Sequence, residues 1–260
     1  MLFPGGNVVL PRIVSMLPER PLIAIPGSGY AIQITDDDSR TLIDPERDVA
    51  FHSGSGALAE TRHVYLKNSG VSERLASGQP TSVLEIGLGT GLGMLLTLDE
   101  AVRASASLQY VAVEVDWLPV DVLRPLQMQM GLSRPSLVES YFAWRLQLGQ
   151  TPHRGRHDWQ VNETTHVCID HNDARECEFG KDARFDAIYF DPFAPKVNRE
   201  LWSEPFLSSM HRVLRVGGQF VTYCVNRQVK DALVACGFSV HRLPGPLGGK
   251  REVMRATKCS

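Results

Sequence analysis

The pentapeptide Asp191-Pro-Phe-Ala-Pro195 is the segment of this sequence best suited to chemistry. It follows the apolar run Ala187-Ile-Tyr-Phe190, which reads as a buried strand, so its acid sits at the carboxyl end of a strand. Ligands bind at that end of open α/β sheets. Pro192 and Pro195 stiffen the loop, and Phe193 sets an aromatic ring beside the acid. Such a loop can hold an amine nucleophile close to an electrophile, with Asp191 accepting a proton or a hydrogen bond from the amine. Helix capping is the plainer use of an acid here. It is weakened because the next helical pattern begins only near Asn198 or Arg199. Asp191, Pro192 and Phe193 are therefore the candidate catalytic group.

The partner of such an acid is read from Glu85-Ile-Gly-Leu-Gly-Thr-Gly-Leu-Gly93. Glycines at every second position between a strand and a helix let backbone approach a ligand closely. The dinucleotide pattern GxGxxG fails in every register, because its third glycine would fall on Leu92, Met94 or Leu96. NAD and FAD are thereby disfavoured, and a tight strand-to-helix turn remains the bland alternative. Glu85, Gly87, Gly89 and Gly91 are candidate cofactor contacts. Glu114, at the end of the next strand, can accept hydrogen bonds from the ribose hydroxyls of an adenosine ligand. Within Asp170-His-Asn-Asp173, Asp173 can read an adenine amino group, although Asn172 or Asp173 can equally cap a helix. Asp191 borders both partners and is a candidate cofactor contact as well. Methyl transfer from a sulfonium suits this set, since the leaving group is already activated and alignment with a neutral amine suffices.

These residues need a scaffold of alternating strands and helices. Strands are expected at Val83–Ile86, Leu108–Glu114, Thr165–Ile169, Ala187–Phe190 and Gln219–Tyr223, with helices from Leu92 to about Ala104, from near Trp117, and over Arg199–Leu214. Gly217-Gly218 is expected to stop the last of these helices. The alternation predicts a doubly wound, mostly parallel sheet. Phe238–Leu243 and Arg251–Arg255 can pair across a Pro/Gly segment, giving an antiparallel C-terminal edge. Upstream, Tyr30–Thr35 and Arg40–Ile43 flank a polar Asp36-Asp-Asp-Ser39 and predict a β-hairpin. Phe51–Leu58 reads as a loop opening a helix. The expected organisation is an N-terminal tail over 1–28, a hairpin-and-helix appendage over 29–80, and a ligand-binding core over 81–260.

With 260 residues, 43% of them hydrophobic, the chain can bury one large core. A net charge of −2 gives no global reason to expect a nucleic-acid partner, so any basic surface is local. Five cysteines without a CxxC pair argue against disulfides and zinc. His153 and His157 are expected in an exposed basic loop rather than at a metal, and Met128 and Met130 in core or interface. Neither a signal peptide nor a membrane span is expected, and the cytoplasm is the default location.

With these residues in place, the sequence resembles the MnmC-type methyltransferase domain family. The match is carried by Gly54–Leu66 with Glu60-Thr61 and Val64-Tyr-Leu66, by Glu85–Gly93, and by Asp191–Pro195 followed by Asn198 and Leu201-Trp202. Gly217-Gly218, Tyr223 and Gly249–Met254 extend it toward the C-terminus. The resemblance implies a Rossmann-like class I fold, S-adenosylmethionine as cofactor, and N-methylation of the 5-aminomethyl group of a modified wobble uridine in tRNA. By it, the glycine loop and Glu114 hold the cofactor while Asp191 and its loop face the uridine. Pro192 and Gly93 depart from the family pattern. In bacteria the domain is often fused to an FAD-dependent oxidase; the length here leads us to expect a stand-alone transferase. Arg242, Lys250, Arg251, Arg255 and Lys258, with the Arg154/Arg156 loop, are the candidate phosphate contacts. A small-amine methyltransferase or aminopropyltransferase-like enzyme, and a non-catalytic binding protein of the same fold, are the alternatives.

Overall fold

A computed structural model describes residues 20–149, 152–179, 182 and 184–259. It opens with a four-stranded antiparallel sheet in chain order: β1 (Leu22–Ala24), β2 (Ala31–Ile34), β3 (Arg40–Asp44) and β4 (Val49–Ala50). The expected hairpin is β2–β3. Its turn closes because Asp38 adopts a φ of 61° and Asp37 Oδ1 accepts from the Ser39 N–H at 3.1 Å. β1 lies inside the expected tail, of which residues 1–19 fall outside the described ones. Its three residues pair with Ala31–Gln33 but are all exposed, so no inside-outside alternation marks them as a strand. α1 (Ala57–Thr61) then runs on through π-helical turns over Arg62–Lys67 to α2 (Val71–Ala76).

The rest of the chain builds an eight-stranded mixed sheet from β5 (Thr81–Ile86), β6 (Leu108–Glu114), β7 (Gly155–Gln160), β8 (Thr165–His171), β9 (Phe185–Phe190), β10 (Leu214–Thr222), β11 (Phe238–Pro244) and β12 (Glu252–Lys258). Its spatial order is β11-β12-β10-β9-β5-β6-β8-β7. The five strands from β10 to β8 run parallel. β12 and β11 form the expected antiparallel edge. β7 makes the opposite edge antiparallel too, where an exposed loop was expected. His157 and Trp159 alternate inward along β7, so His157 is buried rather than exposed.

Helices cover both faces of this sheet. α3 (Leu92–Ala104) follows β5, α4 (Val120–Leu123) and α5 (Ser136–Gln147) follow β6, α6 (Glu204–Val213) precedes β10, and α7 (Arg227–Ala235) follows it. Side chains alternate accordingly: Val83, Tyr110 and Tyr189 join the core under α3 and α5, while Leu84, Ile188 and Phe220 join the core under α6 and α7. The expected helix over Arg199–Leu214 is a 3₁₀ turn at Arg199–Trp202 followed by α6. Gly217-Gly218 does not stop it; the helix ends at Val213, and the glycines lie in an irregularity of β10 between Leu214 and Gln219. A Cβ on Gly218 would lie 2.8 Å from the Arg215 carbonyl oxygen and 3.0 Å from that of Asp186, so the strand needs glycine there.

α3 also fixes the approach to α5. Asp99, buried on α3, accepts from the Ser133 N–H at 2.9 Å, the Ser133 hydroxyl at 2.5 Å and the Arg134 N–H at 2.8 Å. Asp99→Ala leaves three donors without a partner and is expected to cost about 2–3 kcal/mol of stability, read as a lower midpoint in urea at unchanged slope.

Candidate functional site

The carboxyl ends of β5, β6, β8 and β9 border a cavity of about 690 Å³. The order of the sheet reverses at β5, which has β6 on one side and β9 on the other. Three strand ends are tied in sequence there: the Gly87 N–H donates to Val113 O at 3.0 Å, and the Asp191 N–H to Ile86 O at 2.9 Å. Gly87, Gly89 and Gly91 have φ of 88°, 53° and 80°, the left-handed region that glycine enters without strain. A Cβ on Gly87 would come within 2.8 Å of the Asp191 carbonyl oxygen. The glycine loop and the acid loop therefore meet backbone to backbone.

Gly87, Gly89, Glu114, Asp173, Asp191, Pro192 and Phe193 all line the cavity. Glu85 and Gly91 do not line it. Glu85 faces the other way, buried beneath α3, where a Cβ on Gly93 would lie 2.7 Å from its Oε1. Burial raises its carboxyl well above the ordinary range. Gly91 acts through its backbone alone, as the left-handed residue that starts α3.

Glu114 joins two loops. One carboxylate oxygen accepts from the Gly89 N–H at 2.8 Å and the other from the Asp116 N–H at 2.8 Å. Burial pushes its carboxyl upward against the pull of those donors. Asp173 is committed elsewhere: its carboxylate is gripped by the Arg175 guanidinium at 2.5 and 3.0 Å, which holds it below the usual range.

Asp191 stands half-buried in the wall. Burial lifts its carboxyl to about 8, with the Tyr65 hydroxyl and the Lys250 ammonium pulling the other way. Its loop is fastened from behind. The Tyr223 hydroxyl donates to Pro192 O at 3.0 Å, and Trp202 Nε1 donates to Phe193 O at 3.0 Å. Phe193 meets Phe51 edge to face at 5.6 Å, and Phe51 meets Tyr30 at 6.5 Å.

Sequence reasoning missed the contribution of the N-terminal sheet, whose loop from Arg47 to Ser53 forms a wall of the cavity. Arg47 bridges that wall to the loop after β6, at 3.3 Å from Asp44 and 3.0 Å from Asp116. Arg145 was missed as well. It is a buried cation on α5 whose guanidinium lies 3.8 Å from the Trp117 ring and donates to Leu118 O at 2.9 Å, fixing the far end of the same loop. The one signal for it was an arginine on an otherwise apolar helical face.

Of the other sequence candidates, His157 hydrogen-bonds His153 O at 2.8 Å and packs 5.3 Å from Trp117. Met128 is buried, whereas Met130 is 68% exposed. Arg242 pairs with Glu252, Arg156 with Asp170, and Lys258 donates to Arg212 O. Among those basic candidates only Lys250 lines the cavity. No helix among the described residues is long and apolar enough to cross a membrane.

Two substitutions test the site's construction. Gly87→Ala and Gly70→Ala both place a side chain at positive φ, but a Cβ on Gly70 meets nothing within 4 Å. Gly70→Ala should cost about 1 kcal/mol of backbone strain, and Gly87→Ala distinctly more because two loops must part. Equal losses in thermal melts would contradict the close approach. Folding raises the Asp191 carboxyl from the ordinary carboxylate range to about 8, so stability is lost as pH climbs from about 4 to 8 and levels off above that. Asp191→Asn should therefore melt alongside the parent at about pH 4, with a gap that widens up to about pH 8 and then stays constant; a gap that does not vary between those limits would overturn the assignment.

Residues 140–259 match the model of a family described as S-adenosyl-L-methionine-dependent methyltransferase. A protein of Stutzerimonas stutzeri, named tRNA 5-methylaminomethyl-2-thiouridine biosynthesis bifunctional protein MnmC, is 33% identical over 80% of this chain and 32% of its own length. Its namesake from Pseudomonas aeruginosa is 31% identical over 85% of this chain and 34% of its own. The chain thus spans about a third of the length of these curated relatives. Among solved structures, MNMC2 from Aquifex aeolicus aligns with a TM-score of 0.68 at 22% identity, covering 90% of this chain and 72% of that one. That likeness is one of fold.

Proposed function

This chain belongs to the S-adenosyl-L-methionine-dependent methyltransferase family, and from that premise we propose that it methylates a primary amine, the 5-aminomethyl group of a modified wobble uridine in tRNA. The observation that carries the reading is the contact between Gly87 and Asp191, which sets a cofactor cradle and a proton acceptor against one another in one cavity. The residues present fit the cofactor. Gly87 and Gly89 leave backbone bare, and Glu114 presents a buried carboxylate with lone pairs to spare for two ribose hydroxyls. Asn172, beside the occupied Asp173, lines the wall where an adenine would be read. The cofactor supplies an activated methyl group. The protein's tasks are to align the acceptor nitrogen and to keep it unprotonated.

Asp191 performs the second task. An acceptor arriving as an ammonium favours the ionised form of Asp191, which gives its resident proton to solvent and then takes one from the ammonium, leaving a neutral amine beside a neutral carboxyl. With its carboxyl near 8, Asp191 is a stronger base than an ordinary aspartate and meets the amine closer to its own proton affinity. Pro192 and Phe193 act through position, since Tyr223 and Trp202 hold their carbonyls and Phe193 shares the mouth with Phe51. The uridine acceptor follows from the relatives' printed name, because 5-methylaminomethyl is what N-methylation of a 5-aminomethyl group yields.

The test is methylation of total tRNA from cells lacking their own wobble aminomethyl methyltransferase, with nucleosides analysed by mass spectrometry. New methylaminomethyl-uridine is expected, abolished by Asp191→Ala while S-adenosylmethionine affinity stays within about tenfold. Cofactor binding without transfer to tRNA would redirect the reading to a small amine or to a binding role. Equal loss of binding and transfer in Asp191→Ala would remove Asp191 from its role.

A further inference from the structure

Among the described residues, the cavity holds one lysine or arginine that is not tightly paired. Arg47 is bound by Asp44 and Asp116, and Arg175 by Asp173. Lys250 is different: its ammonium rests 3.9 Å from the centre of the Tyr223 ring and 3.9 Å from Glu60 Oε1, too far for a hydrogen bond. Among the described residues it donates no hydrogen bond, and its side chain is 44% exposed. The surroundings are the better-built half of this contact. Glu60 is 7% exposed, and its other oxygen is fixed by the Ser53 N–H at 2.6 Å. The Tyr223 ring is locked by its hydroxyl's bond to Pro192 O, and Pro192 adjoins Asp191.

An aromatic face beside a buried carboxylate is a seat for a small organic cation. Resting on the reading that the acceptor is an amine, we infer that Glu60 and the Tyr223 ring form the docking seat for the acceptor's alkylammonium, and that Lys250 is its resident stand-in. Lys250 keeps the buried Glu60 compensated while the seat is empty. It leaves easily, because a lysine stem is flexible and its head is strongly hydrated. The loop that carries it is tightly closed: the Gly245 N–H bonds Arg251 O at 2.9 Å, and a Cβ on Gly245 would lie 1.7 Å from Lys250 O. Displacement therefore moves the side chain rather than the loop. The arriving ammonium then lies next to Asp191, which takes its proton.

Methylammonium is the probe, its binding to the purified chain followed by saturation-transfer NMR at low and high salt. Lys250→Met should strengthen binding at least threefold, because the competitor is gone and its apolar stem is kept. Glu60→Gln and Tyr223→Leu should weaken it tenfold or more with S-adenosylmethionine affinity unchanged, whereas Tyr223→Phe, which keeps the ring, should retain it. Weaker or unchanged binding in Lys250→Met would overturn the stand-in role, and equal effects of Tyr223→Leu and Tyr223→Phe would overturn the seat. Since the probe is no RNA, a chain that binds methylammonium as described yet leaves tRNA unmethylated sinks the uridine acceptor and keeps the seat. Transfer to tRNA without the expected variant pattern does the reverse.

Discussion

Everything at the site depends on backbone contact between two loops. The Asp191 N–H reaches Ile86 O and the Gly87 N–H reaches Val113 O, so the ladder that joins β9, β5 and β6 continues one residue beyond the strands. Only a residue without a Cβ can take the next step, because the Asp191 carbonyl already occupies that space. The proximity of acid and glycine cradle is thus a property of the sheet rather than of flexible side chains. Loops set this way hold reacting groups with little freedom to lose on binding, which is where alignment gains its effect.

Around that contact, each remaining wall is tied to the core by one polar side chain. Glu114 joins the glycine loop to the loop after β6, and Arg145 fixes the far end of that loop from beneath. Arg47 carries the tie across to the N-terminal sheet. That sheet is small and its outer strand is exposed, yet Phe51 packs over Gly89 and against Phe193. It contributes surface to the cavity more than mass to the core.

Much of this was legible. Strict apolar runs gave β5, β6 and β9 their positions, and glycine spacing marked the loop between β5 and α3, because those signals report local backbone demands. What escaped depends on contacts distant in sequence. β7 looks like a basic loop since Arg154 and Arg156 flank Gly155 at its start, while its inward pair, His157 and Trp159, is not aliphatic. Glu85 reads as a ligand because it begins the glycine string, but strand alternation turns it under α3 while Ile86 points the other way. Asp173 reads as a free acceptor because nothing local shows that Arg175 folds back onto it. Arg145 gave no motif, and Glu60 and Lys250 stood out only within the segments of the family resemblance, Lys250 also as a candidate phosphate contact. Their importance arises only where α1, α5 and the loop before β12 converge on the sheet.

The charges of the cavity have a common logic. Glu60, Glu114 and Asp191 all line a partly dry space, an arrangement that opposes folding unless protons or cations compensate it. The structure uses three means. Asp191 carries a proton near neutral pH, Glu114 spends its charge on backbone donors, and Glu60 keeps a lysine close without bonding it tightly. Each is reversible on the arrival of a positively charged group. During methyl transfer to an amine, positive charge develops on the acceptor nitrogen. Glu60, the acid of the seat that has not taken the amine's proton, is then worth more in the transition state than in the empty site. An enclosure of acids that is costly at rest becomes favourable at the moment of reaction, which explains why so much of the surrounding fold is devoted to holding them in place.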